Sequence, residues 1–119
     1  MSDTNLQLAL VLATYNRARP LARLLNELRV QTLDRSRWEL MVCVDGSTDD
    51  TMQVLEAEAA RNELPLRFFR QENAGQSAAR HRAVVEARAE RVVVTDDDMG
   101  LCPEFLEEHL KSGCVLAHL

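Results

Sequence analysis

Runs of apolar residues alternate along this chain with stretches whose apolar positions recur every three or four residues. Leu8 to Ala13 is the first unbroken apolar run, and its length fits a strand buried on both faces. Pro20 then stands at a first helical position, and Leu21, Leu24, Leu25 and Leu28 repeat at helical spacing to about Gln31. Glu39 to Val44 predicts a second strand. Ser47-Thr48-Asp49-Asp50 supplies an N-cap with an acidic residue three positions on, and Met52, Val54, Leu55 and Ala59 carry a helix to about Asn62. Pro65 ends that helix, and Leu66 to Arg70 is a short third strand. Asn73-Ala74-Gly75 is a turn, followed by an alanine-rich helix from Gln76 to Arg88. Arg91 to Thr95 predicts the fourth strand. Pro103 opens a fourth helix through about Lys111, and Cys114 to Ala117 starts a fifth strand.

Strand and helix alternating in this way predict an α/β domain, a parallel sheet flanked by helices and joined by right-handed crossovers. The 119 residues suffice for one compact domain and are too few for two. No repeat, low-complexity segment or linker divides them. In such sheets ligands bind outside the carboxyl ends of the strands, so the residues just after each strand carry the functional information.

The most distinctive of these segments is Asp96-Asp97-Asp98, which closes the apolar run Val92-Val93-Val94-Thr95. Adjacent carboxylates repel, and no Lys or Arg lies within the next four residues to relieve them. A divalent cation neutralises such a cluster most simply, and Mg2+ or Mn2+ prefers carboxylate oxygen. In an extended segment Asp96 and Asp98 point to the same side, so both can face one metal–diphosphate complex. Taken alone, the cluster is equally well read as a solvated acidic turn.

Composition narrows the choice of function. Hydrophobic residues at 46 % allow a core, while aromatics at 4 % argue against a base-stacking or sugar-stacking platform. A net charge of −5 argues against a general nucleic-acid binder. Cys43, Cys102 and Cys114 lack C-x-x-C spacing, and His81, His109 and His118 lack metal-ligand spacing, so a reducing compartment fits best. Met1-Ser2-Asp3 lacks the basic start of a signal peptide, and no apolar run is long enough to span a bilayer. A cytoplasmic protein is expected, free in the cytosol or at the cytoplasmic face of the membrane.

Four polar segments follow the four strands: Thr14-Tyr15-Asn16-Arg17, Asp45-Gly46-Ser47-Thr48-Asp49, Asn73 to Arg80, and Asp96-Asp97-Asp98. Through "VLATYNRARPLARLLNEL", "VCVDGSTDDT", "ENAGQSAARHRAV" and "VVVTDDDM" the chain resembles the family-2 glycosyltransferases, over nearly its whole length. The resemblance implies a GT-A-like (Rossmann-like), mainly parallel sheet. It also implies an enzyme that transfers a sugar from a nucleotide-diphosphate sugar of UDP or dTDP type, metal-dependent and inverting. The implied nucleotide-sugar site comprises Thr14, Tyr15, Asp45, Gly75, Arg80, Asp96 and Asp97, with Asp96 and Asp98 at a Mn2+ or Mg2+ ion. Asp45 would accept the ring N–H of uracil or thymine, although Val44 stands where the family usually has a first aspartate. Gly75 permits close approach or positive φ, and Arg80 would meet the base or diphosphate. His81 replaces the family's usual Asn, and Arg17 is left unassigned. Blander readings stand beside these: Asp45-Gly46 as a turn, and Arg80 as a solvating residue on a helix.

Family-2 enzymes usually continue for about another hundred residues, which supply the acceptor site and a carboxylate general base. No residue here is a candidate for that base, since Glu104, Glu107 and Glu108 read as a solvated helix face. The base is expected beyond Leu119, so the chain reads as truncated before the acceptor half, or as completed by a partner chain. The acceptor, whether glycan, lipid or protein, is left open. The alternative is a catalytically silent nucleotide-binding module or an inactive fragment. A dinucleotide-binding Rossmann domain is disfavoured because G-x-G-x-x-G is missing after the first strand. A receiver domain or an aspartate phosphatase is disfavoured because its acids belong on that strand.

Overall fold

The computed structural model describes residues 6–97 and 100–112. Their elements are β1 (Leu8–Thr14), α1 (Ala18–Arg29), β2 (Trp38–Asp45), α2 (Thr51–Arg61), β3 (Leu66–Gln71), α3 (Gln76–Glu86), β4 (Arg91–Val94) and α4 (Phe105–Ser112). A short 3-10 turn at Arg35–Arg37 leads into β2. The strands form one sheet in the order β3-β2-β1-β4, and every pairing is parallel. The fifth strand expected at Cys114 to Ala117 lies outside the described residues.

Strand alternation divides the core into two unlike layers. Leu8, Leu10 and Leu12 of β1 turn to the face covered by α1, α2 and α4, where they meet Leu21, Leu24, Leu25, Leu28, Leu55 and Leu106. Ala9, Val11 and Ala13 turn to the other face and meet Ala79 and Ala83 of α3. Large side chains therefore fill one layer, and small ones let α3 lie close to the sheet on the other. Full burial of each leucine contributes about 1.5–3 kcal/mol, so the first layer carries most of the hydrophobic stabilisation.

Element ends depart from the sequence reading where local hydrogen bonds decide them. Helix α1 begins at Ala18, ahead of Pro20. A proline is tolerated so early because the first-turn N–H groups have no acceptor within the helix. Helix α3 stops at Glu86 rather than Arg88. The buried Glu39 carboxylate accepts the N–H of both Arg88 and Ala89, drawing them out of the helix. Helix α4 starts at Phe105, after a turn through Pro103 and Glu104. Helix α2 keeps the expected end, running to Arg61 with Asn62 as its C-cap in the left-handed conformation at φ 55°.

Candidate functional site

After β3 the chain crosses to the opposite face through α3 and returns beside β1 as β4. The carboxyl ends of β1 and β4 thus flank a topological switch point, where sheets of this kind take ligands. A cavity of about 350 Å³ lies there, bordered by Thr14, Tyr15 and Arg17 after β1, by Asp45 at the end of β2, by Gly75, and by Asp97 after β4. Asn73 and Gln76 complete its rim. Tyr15 is among the exposed large side chains of the molecule.

Asp45 is 4 % exposed and ties the second loop to the third. Its Oδ1 accepts from the Gln71 side chain at 3.0 Å and from the Ala74 N–H at 2.8 Å. Its Oδ2 accepts from the Gly75 N–H at 3.0 Å. Burial alone would raise this carboxyl's pKa. The hydrogen bonds from Ala74, Gln71 and Gly75 outweigh burial and hold it below the ordinary carboxylate value. Three donors occupy three of about four acceptor positions on a carboxylate, which leaves one on Oδ2. Asp45 is therefore the organiser of the β3–α3 loop as well as a cavity residue.

Two glycines shape the same loops for different reasons. Gly46 has φ +75°, and a Cβ there would fall 2.8 Å from the Asn73 backbone nitrogen, so no side chain fits. Gly75 has φ +100° and ψ 155°, backbone territory essentially reserved for glycine, and nothing lies within 4 Å of where its Cβ would stand. The first is a close approach and the second is a conformational requirement beside open space.

The β1–α1 and β2–α2 loops are latched together. Asn16, at φ 51°, donates its N–H to Ser47 Oγ at 2.8 Å and accepts the Thr48 N–H at 2.7 Å. Asp49 accepts the Thr51 N–H at 3.0 Å and the Ala18 N–H at 3.3 Å, joining the starts of α2 and α1. Burial opposes ionisation of Asp49, and the bonds from Thr51 and Ala18 overcome it, so its pKa is lowered. Asp50 is the N-cap residue of α2 but makes no side-chain capping bond, so Asp49 serves the helix start in its place.

The acidic cluster is split by the structure. The strand closes at Val94 and Asp97 lies in a turn, so strand alternation does not extend through the cluster. Asp97 is buried against the cavity, accepting from the Thr14 hydroxyl at 2.8 Å and pairing with Arg17 Nε at 3.5 Å. Asp96 is half exposed and pairs with Arg80 Nη2 at 2.7 Å, beside the cavity rather than in its lining. The Arg80 Nε is buried and has no hydrogen-bond partner among the described residues. Asp98 lies outside the described residues. Sequence reasoning left Arg17 without a role and passed over Asn73 and Gln76 as rim residues. Their signal was position alone, in the loops that follow β1 and β3.

Oxygen donors at this mouth suit a hard cation. Among the described residues no three His, Cys, Asp or Glu side chains gather closely enough to hold one unaided. Of the carboxylates here, Asp96 is paired with Arg80 outside the cavity lining and Asp97 with Thr14 and Arg17 inside it. No helix among the described residues is long and apolar enough to cross a membrane.

A parallel sheet whose loops gather carboxylates and an arginine at its switch point defines an α/β protein with a strand-end ligand site. Within that class the chain belongs to glycosyl transferase family 2, whose model matches residues 9–112, and its sheet and flanking helices are those of the GT-A fold. EpsH of Bacillus subtilis is 30 % identical over 105 residues, which are 88 % of this chain and 30 % of EpsH. The poly(ribitol-phosphate) beta-N-acetylglucosaminyltransferase TarS of Staphylococcus aureus is 30 % identical over 87 % of this chain and 18 % of its own. The crystal structure of TarS residues 1–349 in complex with UDP-GlcNAc superposes with a TM-score of 0.82, covering 89 % of this chain and 30 % of that one. The mannosyltransferase PcManGT of Pyrobaculum calidifontis, in complex with GDP-Man and Mn2+, gives a TM-score of 0.73 at 29 % identity, covering 77 % and 27 %. The chain thus spans about a third or less of each of these relatives.

Proposed function

We propose that this chain forms the donor-binding part of a glycosyltransferase that takes its sugar from a nucleotide-diphosphate sugar of UDP or dTDP type. The observation that carries the reading is the cavity at the β1/β4 switch point, edged by Asp45, Asp97 and Arg17, in a chain of a glycosyltransferase family. Similar structures hold UDP-GlcNAc in one case and GDP-Man with Mn2+ in another, which supports a nucleotide-sugar donor and a divalent cation here.

The residues divide the work by their chemistry. The acceptor position left on Asp45 Oδ2 receives a ring N–H, which uracil and thymine offer and cytosine lacks. Tyr15 and Thr14 border the base and ribose, and the open space at Gly75 lets the nucleotide lie against backbone. Arg80 pairs with Asp96 beside the cavity and is assigned to holding that carboxylate at the edge of the donor site. Asp96, Asp97 and Asp98 are assigned to the Mn2+ or Mg2+ ion and the donor groups around it. When bound, the ion cancels charge on the diphosphate and stabilises it as leaving group.

An inverting transfer needs a base at the acceptor hydroxyl. Neither cavity carboxylate is placed for that task, because Asp45 is engaged by three donors and Asp97 by Thr14 and Arg17. The base and the acceptor site are assigned to the part of the relatives' length that this chain does not span. The engagement of both cavity carboxylates favours a second reading, a nucleotide-binding module without transfer activity. Calorimetric titration with UDP and with CDP, in Mn2+ and in EDTA, tests the proposal. Saturable UDP binding that weakens in EDTA and is stronger than CDP binding is expected. Equal affinity with and without metal would remove the cation from the assignment. UDP binding with no turnover of UDP-sugars, either by hydrolysis or by transfer, would select the silent module.

A further inference from the structure

We propose that Arg17 is a donor-binding residue whose guanidinium meets the anionic diphosphate at the mouth of the cavity, an inference that rests on the donor-site reading above. Arg17 is the N-cap residue of α1, and its side chain makes no capping bond. Caps favour Ser, Thr, Asp or Asn, and the positive end of the helix dipole disfavours a cation. The first turn of α1 carries no acidic residue of its own, and the compensating carboxylates come from elsewhere, Asp49 on the Ala18 N–H and Asp97 on Arg17 itself. A residue that breaks a local folding rule in this way is expected at a functional site rather than in a scaffold.

Charge balance in the cavity supplies the reason. Two carboxylates border it, Asp45 and Asp97, and Arg17 is the sole Lys or Arg among the described residues that line it. A diphosphate entering past two carboxylates needs a counter-charge in its path. Arg80 is committed to Asp96 beside the cavity, and Arg70 donates to the Ser47 carbonyl. Arg17 is 44 % exposed at its side chain and touches Asp97 through Nε at 3.5 Å, so a modest swing brings its planar fork to phosphate oxygens. Asp97 holds the guanidinium at the entrance.

Amide-shift titrations of the wild-type and Arg17→Gln chains with UDP and with uridine, in EDTA, test this. Thermal melts without nucleotide confirm that both chains fold. The variant should bind uridine as the wild type does and lose about tenfold to a hundredfold in UDP affinity, as expected for a charge-assisted contact to phosphate. Arg17→Lys should recover part of the loss, since the charge returns without the fork. If uridine and UDP weaken by the same factor, Arg17 only shapes the loop and the proposal is overturned. Unchanged UDP affinity in Arg17→Gln overturns it too, while leaving the donor site standing. A wild-type chain that binds neither ligand in EDTA, and no UDP when the titration is repeated in Mn2+, overturns the donor-site reading and the proposal with it.

Discussion

Asp45 shows how a single carboxylate shapes the cavity that it borders. It sits where β2 ends, and three donors from the β3–α3 segment converge on it. Its folded pKa lies below the unfolded value of about 3.9. The unfolded chain therefore binds the proton first as pH falls, so the stabilisation is complete above about pH 4 and is lost as pH drops through the folded value. Urea denaturation of wild type and Asp45→Asn between pH 3 and 7 should show a stability loss in acid that is shallower in the variant. The variant should also be less stable at pH 7 by about 1–3 kcal/mol, because an amide cannot accept from all three donors. Parallel pH profiles for the two proteins would place the acid-sensitive group elsewhere. The turn reading and the ligand reading of Asp45-Gly46, opposed when judged from sequence, prove compatible, since the residue that fixes the turn also borders the cavity.

The helices were legible because their buried faces differ. The leucine stripe of α1 repeats at helical spacing, and all four of those leucines are buried in the larger core layer. Element ends were less legible because they are set by partners distant in sequence, as Glu39 sets the end of α3 from 49 residues away. The alanines of α3 were read as helix formers, whereas their structural consequence is spacing. Ala79 and Ala83 are fully buried against Ala9, Val11 and Ala13, holding α3 close to the sheet, with Gly75 at its start. Ala79→Leu should therefore destabilise the domain by about 1–3 kcal/mol through overpacking and displace the Gly75 end of the helix. An unchanged urea midpoint would show that this layer has room to spare.

At the scale of the molecule, the alternation of runs and stripes fixes the order of elements, and parallel pairing follows from it. The strand order β3-β2-β1-β4 then brings segments that are up to 83 residues apart, such as Thr14 and Asp97, into hydrogen-bond contact. Which aspartate of the cluster faces the cavity was not legible, because alternation holds only inside the strand and β4 ends at Val94. Arg17 was left unassigned for a related reason: its charge gains meaning only beside Asp97, which the sheet delivers from the far end of the chain. The central claim, a nucleotide-diphosphate site at the carboxyl ends of this sheet, is tested most directly by mapping where UDP binds. Backbone amide shifts followed during a UDP titration in Mg2+ should move at Thr14 to Arg17, Asp45 to Ser47, Asn73 to Arg80 and Thr95 to Asp97, and remain still at Leu8, Trp38 and Leu66, at the opposite ends of the strands. Shifts centred on that opposite end, or none at saturating UDP, would contradict it.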